Sequence, residues 1–133
     1  MYKKTVTYED YNGDTRTESF YFNFSKAELV TMEASKPGGY SSYLKHIAEE
    51  QDPAKLVAIF KELLLGSYGE KSEDGRRFVK SKELTDAFEQ HPAFSEIYME
   101  LATDSVAAAE FVKKVLPKLP SETNGGGIAV NPV

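Results

Sequence analysis

The dipeptide Asn12-Gly13 sits between two runs rich in threonine, valine, tyrosine and phenylalanine that together cover Tyr2 to Phe24. Such residues fit a pleated, half-buried surface, and Asn-Gly tolerates the positive φ of a tight hairpin turn. The chain is therefore expected to open with an antiparallel hairpin. On the return strand Phe20, Phe22 and Phe24 fall on one face, with Tyr21 and Asn23 on the other; Val6 and Tyr8 share a face of the outgoing strand. A lone hairpin is marginal in water. Its phenylalanine face must be covered, and the helices that follow are the only candidate.

Those helices are read from caps and apolar spacing. Ser25-Lys26-Ala27-Glu28 is a capping-box signature opening a helix with Leu29 and Met32 inward, stopped near Lys36-Pro37-Gly38-Gly39. A second helix is expected from about Ser41 to Glu50, with Leu44, Ile47 and Ala48 inward. Asp52-Pro53 supplies an N-cap and a first-turn proline for a third, which would bury Leu56, Val57, Phe60, Leu63 and Leu64 and end at Gly66. Ser67 to Lys80 reads as an irregular loop, with a short extended piece at Arg77-Phe78-Val79-Lys80. Ser81 caps a fourth helix carrying Leu84, Ala87 and Phe88; His91-Pro92 breaks it, and a fifth presents Phe94, Ile97, Tyr98 and Leu101. Thr103 or Asp104 caps a sixth, with Ala108, Phe111, Val112, Val115 and Leu116 inward. The fold class is thus α+β and mostly α: an N-terminal β-hairpin packed on a bundle of five to six helices. Residues 1–116 are expected to form one globular domain, with the hairpin in 1–24 and the helical body in 25–116. Residues 117–133, rich in proline and glycine and poor in large apolar groups, read as a flexible tail.

Composition narrows the function classes. A chain of 133 residues buries roughly two-thirds of its unfolded surface, enough for a core without staples. The net charge of −5 disfavours sequence-independent attraction to a phosphate backbone. No run approaches the ~20 apolar residues of a membrane span, and the N-terminus reads as a strand and not as a signal peptide. The absence of cysteine excludes disulfides and thiolate chemistry and fits a cytosolic setting.

The candidate chemical groups each have a plain structural reading. His46 and His91, the two histidines, have no serine or threonine spacing that marks a nucleophile and base, and both read as surface or junction residues. Asp10-Tyr11-Asn12-Gly13-Asp14 starts like a calcium loop, but Thr15 and Tyr21 stand where glycine and glutamate are needed, so it reads as a hairpin tip. The carboxylates Glu83, Asp86, Glu89, Glu96, Glu100, Asp104 and Glu110 read as a solvated acidic face. Lys71, Arg76, Arg77, Lys80 and Lys82 form the one basic cluster, nearly cancelled by Glu70, Glu73, Asp74 and Glu83. It lacks the pattern of a phosphate loop and reads as a solvated or protein-contacting loop. No catalytic, cofactor-binding or metal-ligating set is expected. Eight tyrosines are numerous for this length; they pack at core edges or supply a protein interface.

Several segments together resemble a known family. Lys3-Lys4-Thr5-Val6-Thr7-Tyr8, Asp10-Tyr11-Asn12-Gly13, Arg16-Thr17-Glu18 and Phe20 through Leu29 are similar to the opening of the tail assembly chaperones of long-tailed phages and prophages of Gram-positive bacteria. Ser67-Tyr68-Gly69-Glu70-Lys71-Ser72, Asp74-Gly75-Arg76-Arg77-Phe78, Ser95 through Asp104 and Phe111-Val112 continue the resemblance, which runs from about Lys3 to Leu116. It implies a non-enzymatic protein without cofactor. The implied role is to coat the tape measure protein and recruit major tail tube subunits in the host bacterial cytoplasm, with little or none remaining in the mature virion. It also implies a longer product made by ribosomal frameshifting in many members, and it leaves a homo-oligomer possible.

The expected protein-binding surface combines Tyr11 and Tyr21 of the hairpin with the loop carrying Tyr68, Arg76 and Arg77. Two other classes compete with this reading. An acidic phage-encoded inhibitor of a host protein would show strongly salt-dependent binding, and a structural head–tail component would co-purify with particles. An enzyme using paired carboxylates is the remaining alternative.

Overall fold

A computed structural model describes residues 1–116. Strand β1 (Tyr2–Glu9) and strand β2 (Thr15–Phe22) pair antiparallel from Tyr2 opposite Phe22 to Glu9 opposite Thr15. The expected hairpin is present, with a wider turn than Asn-Gly alone implies. Residues 10–14 form the loop, and Asp10 organises it. Its carboxylate accepts the amides of Asn12 and Asp14, both at 2.9 Å, and the Arg16 Nε at 2.6 Å. Gly13 alone in the loop takes a positive φ, +87°.

Six helices follow, as expected: α1 (Lys26–Ala34), α2 (Tyr40–Glu50), α3 (Pro53–Ser67), α4 (Lys82–Glu89), α5 (Pro92–Thr103) and α6 (Ser105–Val115). Local capping sets their starts. The Glu28 amide donates to Ser25 Oγ at 3.1 Å while the Ser25 amide donates to Glu28 Oε1 at 2.8 Å. Asp52, Ser81 and Asp104 accept first-turn amides of α3, α4 and α6 in the same manner. Replacing Ser25 with alanine should cost about 1 kcal/mol in urea unfolding. A loss near zero would show that Glu28 alone holds the turn.

The stretch expected to be irregular holds two strands, β3 (Tyr68–Lys71) and β4 (Phe78–Val79). They extend the hairpin into a four-stranded antiparallel sheet of order β1-β2-β3-β4. The extended piece at Phe78-Val79 falls where expected; β3 does not. Its pairing partner is Tyr21-Phe22, far away in sequence, so no local pattern announces it. Gly69 permits the close approach of β4: a β-carbon there would lie 2.6 Å from the Phe78 ring and 2.8 Å from the Val79 carbonyl. Nor does Gly66 stop α3, which runs on to Ser67.

The sheet's outer face is polar, with Thr5 hydrogen-bonded to Ser19 and Thr7 to Thr17, each at 2.9 Å. Its inner face carries Tyr2, Val6, Tyr8, Phe20 and Phe22, all buried against the helices. Phe22, fully buried, has Tyr2, Tyr68, Phe88 and Phe111 around it at centroid distances of 5.6–6.1 Å. Phe88 of α4 stacks on Tyr68 at 4.1 Å. Offset and edge-on ring contacts of this kind add to the burial of apolar area.

On the other side, α1 and α2 meet through a tight turn in which Gly38 and Gly39 have φ of +81° and +96°. Gly39 has no side chain to cap α2. The buried carboxylate of Glu33 does so instead, accepting the Tyr40 amide at 2.9 Å. The flexible tail expected at 117–133 lies outside the described residues.

Candidate functional site

The residues expected to form the binding surface are dispersed. Tyr11 stands at the tip of the first hairpin, 85% exposed. Tyr21, near the far end of β2, lies opposite Gly69, with the Lys71 ammonium 4.5 Å from its ring centroid. Six residues of β2 separate it from Thr15, about 20 Å of strand. Arg76 and Arg77 are exposed in the β3–β4 loop, whose shape is held by Asp74 accepting the Arg76 amide and by Ser72 Oγ accepting the Arg77 amide, both at 3.0 Å. Tyr68 is buried, its ring stacked in the core. Burial and the nearby Glu70 carboxylate push its phenol up to about 12. The structure therefore brings Tyr21 close to the β3–β4 hairpin, leaves Tyr11 at the opposite end, and gives Tyr68 to the core.

The histidines occupy structural positions. His46 is exposed and paired with Glu50 one turn on, at 2.8 Å. His91 caps α5 through Nδ1, which accepts the Ala93 amide at 3.0 Å, so its proton belongs on Nε2. Its ring packs edge-on against Tyr8 and Phe20. The Tyr8 hydroxyl donates to Glu18 at 2.5 Å, and burial followed by that carboxylate pushes the phenol up to about 12. Among the described residues no group of three or more histidine, aspartate and glutamate side chains is arranged to hold a metal. No described helix is long and apolar enough to cross a membrane.

Among the described residues an open groove of about 820 Å³ lies elsewhere, between α2, α3, α6 and the end of α5. Its base is α3, which presents Leu56, Val57 and Phe60 beside the buried Ile59 and Leu63. Leu44, Ile47 and Ala48 of α2 form one wall, and Ala108, Ala109 and Val112 of α6 form the other. Leu101 to Thr103 line the α5 end. Several of these side chains were expected in the core and are not fully covered. Ala48 is exposed, Val57 is 38% exposed, and Leu44, Leu56, Phe60 and Val112 are half-buried. Ile59, not picked out by spacing, takes the buried place.

Sequence reasoning missed this groove because it treated every apolar residue at helical spacing as core. The informative signal is the width of the stripe. At 100° per residue, Ile59 to Val57 on α3 spans an arc of roughly 160°, wider than the ~100° one buried face needs. The groove draws on the whole arc, from Ile59 to Val57, although Leu64 within it is fully buried.

Among the described residues the groove is apolar, with no histidine or carboxylate in its lining. The family model described as phage tail assembly chaperone matches residues 1–123. No curated protein and no solved structure matches the chain.

Proposed function

The chain belongs to the phage tail assembly chaperone family, and from that premise we propose that it binds the tape measure protein of a long-tailed phage and recruits major tail tube subunits to it. The work is done by binding and release, without a chemical step or a cofactor, in the cytoplasm of the host bacterium before the virion is complete. The observation that carries this reading is the groove between α2, α3 and α6. Among the described residues nothing fills it, and its half-buried apolar side chains could gain cover from a partner. A helix laid in it would bury its own apolar stripe along with Leu56, Val57 and Phe60. Because these side chains are already half-covered in the free protein, the gain per residue is modest and the hold reversible.

A second contact, for the tube subunit, is assigned to the exposed pair Arg76 and Arg77 with the partly exposed Tyr21, and Tyr11, at the other end of the first hairpin, would engage that subunit separately. Tyr68 supports the arginine contact from beneath by keeping β3 in the sheet.

The test is capture of the tape measure protein by the tagged chain and by a variant carrying Val57→Glu and Ala109→Glu. Both residues line the groove and are exposed, so the fold should tolerate the change with unfolding shifted by less than about 0.5 kcal/mol per site. Capture should fall at least tenfold, the consequence of seating carboxylates against an apolar helix face. Undiminished capture would remove the groove from the reading.

A further inference from the structure

The charged residues lining the groove are Lys45 of α2 and Lys113 of α6, and none of the lining residues is acidic. This stands against the rest of the chain, which has 21 aspartates and glutamates to 16 lysines and arginines. Elsewhere Lys4, Lys55, Lys61, Lys80, Lys82 and Lys114 are each neutralised by a carboxylate, whereas Lys3, Lys26, Lys36 and Lys71 have none within ion-pair distance among the described residues. Lys45 and Lys113 are exposed, and among the described residues neither has a carboxylate within ion-pair distance. The packing order α2 on α3, α3 on α5 and α5 on α6 sets the two lysines on opposite walls. The groove is thus an apolar floor with an unneutralised ammonium on each side.

We propose that the groove selects a partner helix whose apolar stripe is flanked by glutamate or aspartate, against the sign of the protein's own net charge. The inference rests on the groove being the holding surface. The part of α3 that lines the groove, Pro53 to Leu63, gives a floor about 15 Å long, enough for roughly three turns of partner helix. Such a helix inserts its i, i+3, i+4 and i+7 side chains into the trough. Its flanking positions then stand at the walls, where Lys45 and Lys113 wait. Glutamates there complete the two missing pairs, whereas lysines place like charges together. The net charge of −5 acts over the whole surface and favours a basic partner. A helix in the groove meets the two lining ammonium groups directly, while no carboxylate lines the groove.

Two fluorescent peptides test this on the full chain. Both are three-turn helices with one shared leucine–alanine stripe, flanked by glutamates in one and by lysines in the other. At low salt the glutamate-flanked peptide should bind about fivefold more tightly by anisotropy, as two exposed pairs allow. At about 0.5 M salt, where the Debye length is only a few Å, the difference should nearly vanish. A K45E/K113E double variant should reverse the order, with unchanged far-ultraviolet circular dichroism. Equal binding, a preference for the lysine-flanked peptide, or an unreversed order in the double variant would overturn the proposal. A different result would overturn the groove reading itself: neither peptide binds, and the Val57 and Val112 amides do not shift in NMR spectra. A groove filled by a second copy of the chain would appear as a dimer that neither peptide dissociates, which also overturns the proposal.

Discussion

Phe88→Ala should lower the unfolding free energy by about 3–5 kcal/mol, with a fall in Tm on the order of 10–20 °C. Phe88 is 2% exposed and lies where the sheet and the helices meet. Its ring stacks on Tyr68 at 4.1 Å, and Phe20, Phe22 and Phe94 lie at centroid distances of 5.8, 5.6 and 5.4 Å. These four partners come from β2, β3 and α5, so little of the cavity left by truncation can close without moving a strand. Urea unfolding followed by circular dichroism measures the effect. Met99→Ala, at a side chain 60% exposed, serves as the control and should stay within about 0.5 kcal/mol. A loss below about 1 kcal/mol for Phe88→Ala would mean that the ring is not enclosed as described.

Gly39→Ala should cost about 2–6 kcal/mol from two sources. The backbone at φ +96° and ψ 158° lies in a region essentially reserved for glycine and costs a residue with a side chain roughly 1–3 kcal/mol. In addition, the new β-carbon would overlap the Glu33 carboxylate, displacing the acceptor of the Tyr40 amide. Leaving that buried group unsatisfied adds about 1–3 kcal/mol. Gly75→Ala is the comparison: at φ +74° with nothing within reach of a β-carbon, it should cost less than Gly39→Ala. A loss at Gly39 no larger than at Gly75 would show that the Glu33 contact contributes nothing.

What could be read from the sequence is what short stretches encode. Ser25, Asp52, Ser81 and Asp104 each act on an amide two or three residues away, so their identity and place suffice to mark a helix start. The hairpin is similarly local, its alternation and its turn lying within one stretch. His91 shows the limit of such signals. It marks a break, yet its role as the α5 cap depends on a ring orientation that Tyr8 and Phe20 help to set. Strand β3 was hidden because Tyr68-Gly69 becomes a strand only beside Tyr21-Phe22. Tyr68 shows the same blindness at the level of the candidate site. An aromatic in a loop-like sequence reads as an exposed contact, but the strand it forms turns the ring inward onto Phe88. The groove was invisible for the opposite reason. Its residues carry the right spacing for a core, and only the packing of α2, α3 and α6 decides which of them the core has room for.

The distribution of partners around Phe22 has a consequence for synthesis. The hairpin's apolar face is complete once residue 22 has been added, while two of the rings that cover it, Phe88 and Phe111, come much later. At the usual pace of about 5–20 residues per second, the ribosome needs roughly 5–20 s to make that intervening chain. Throughout this interval the nascent protein presents an uncovered aromatic strand pair, the kind of surface that host holdases bind. A member of an assembly chaperone family thus starts out in need of a chaperone itself.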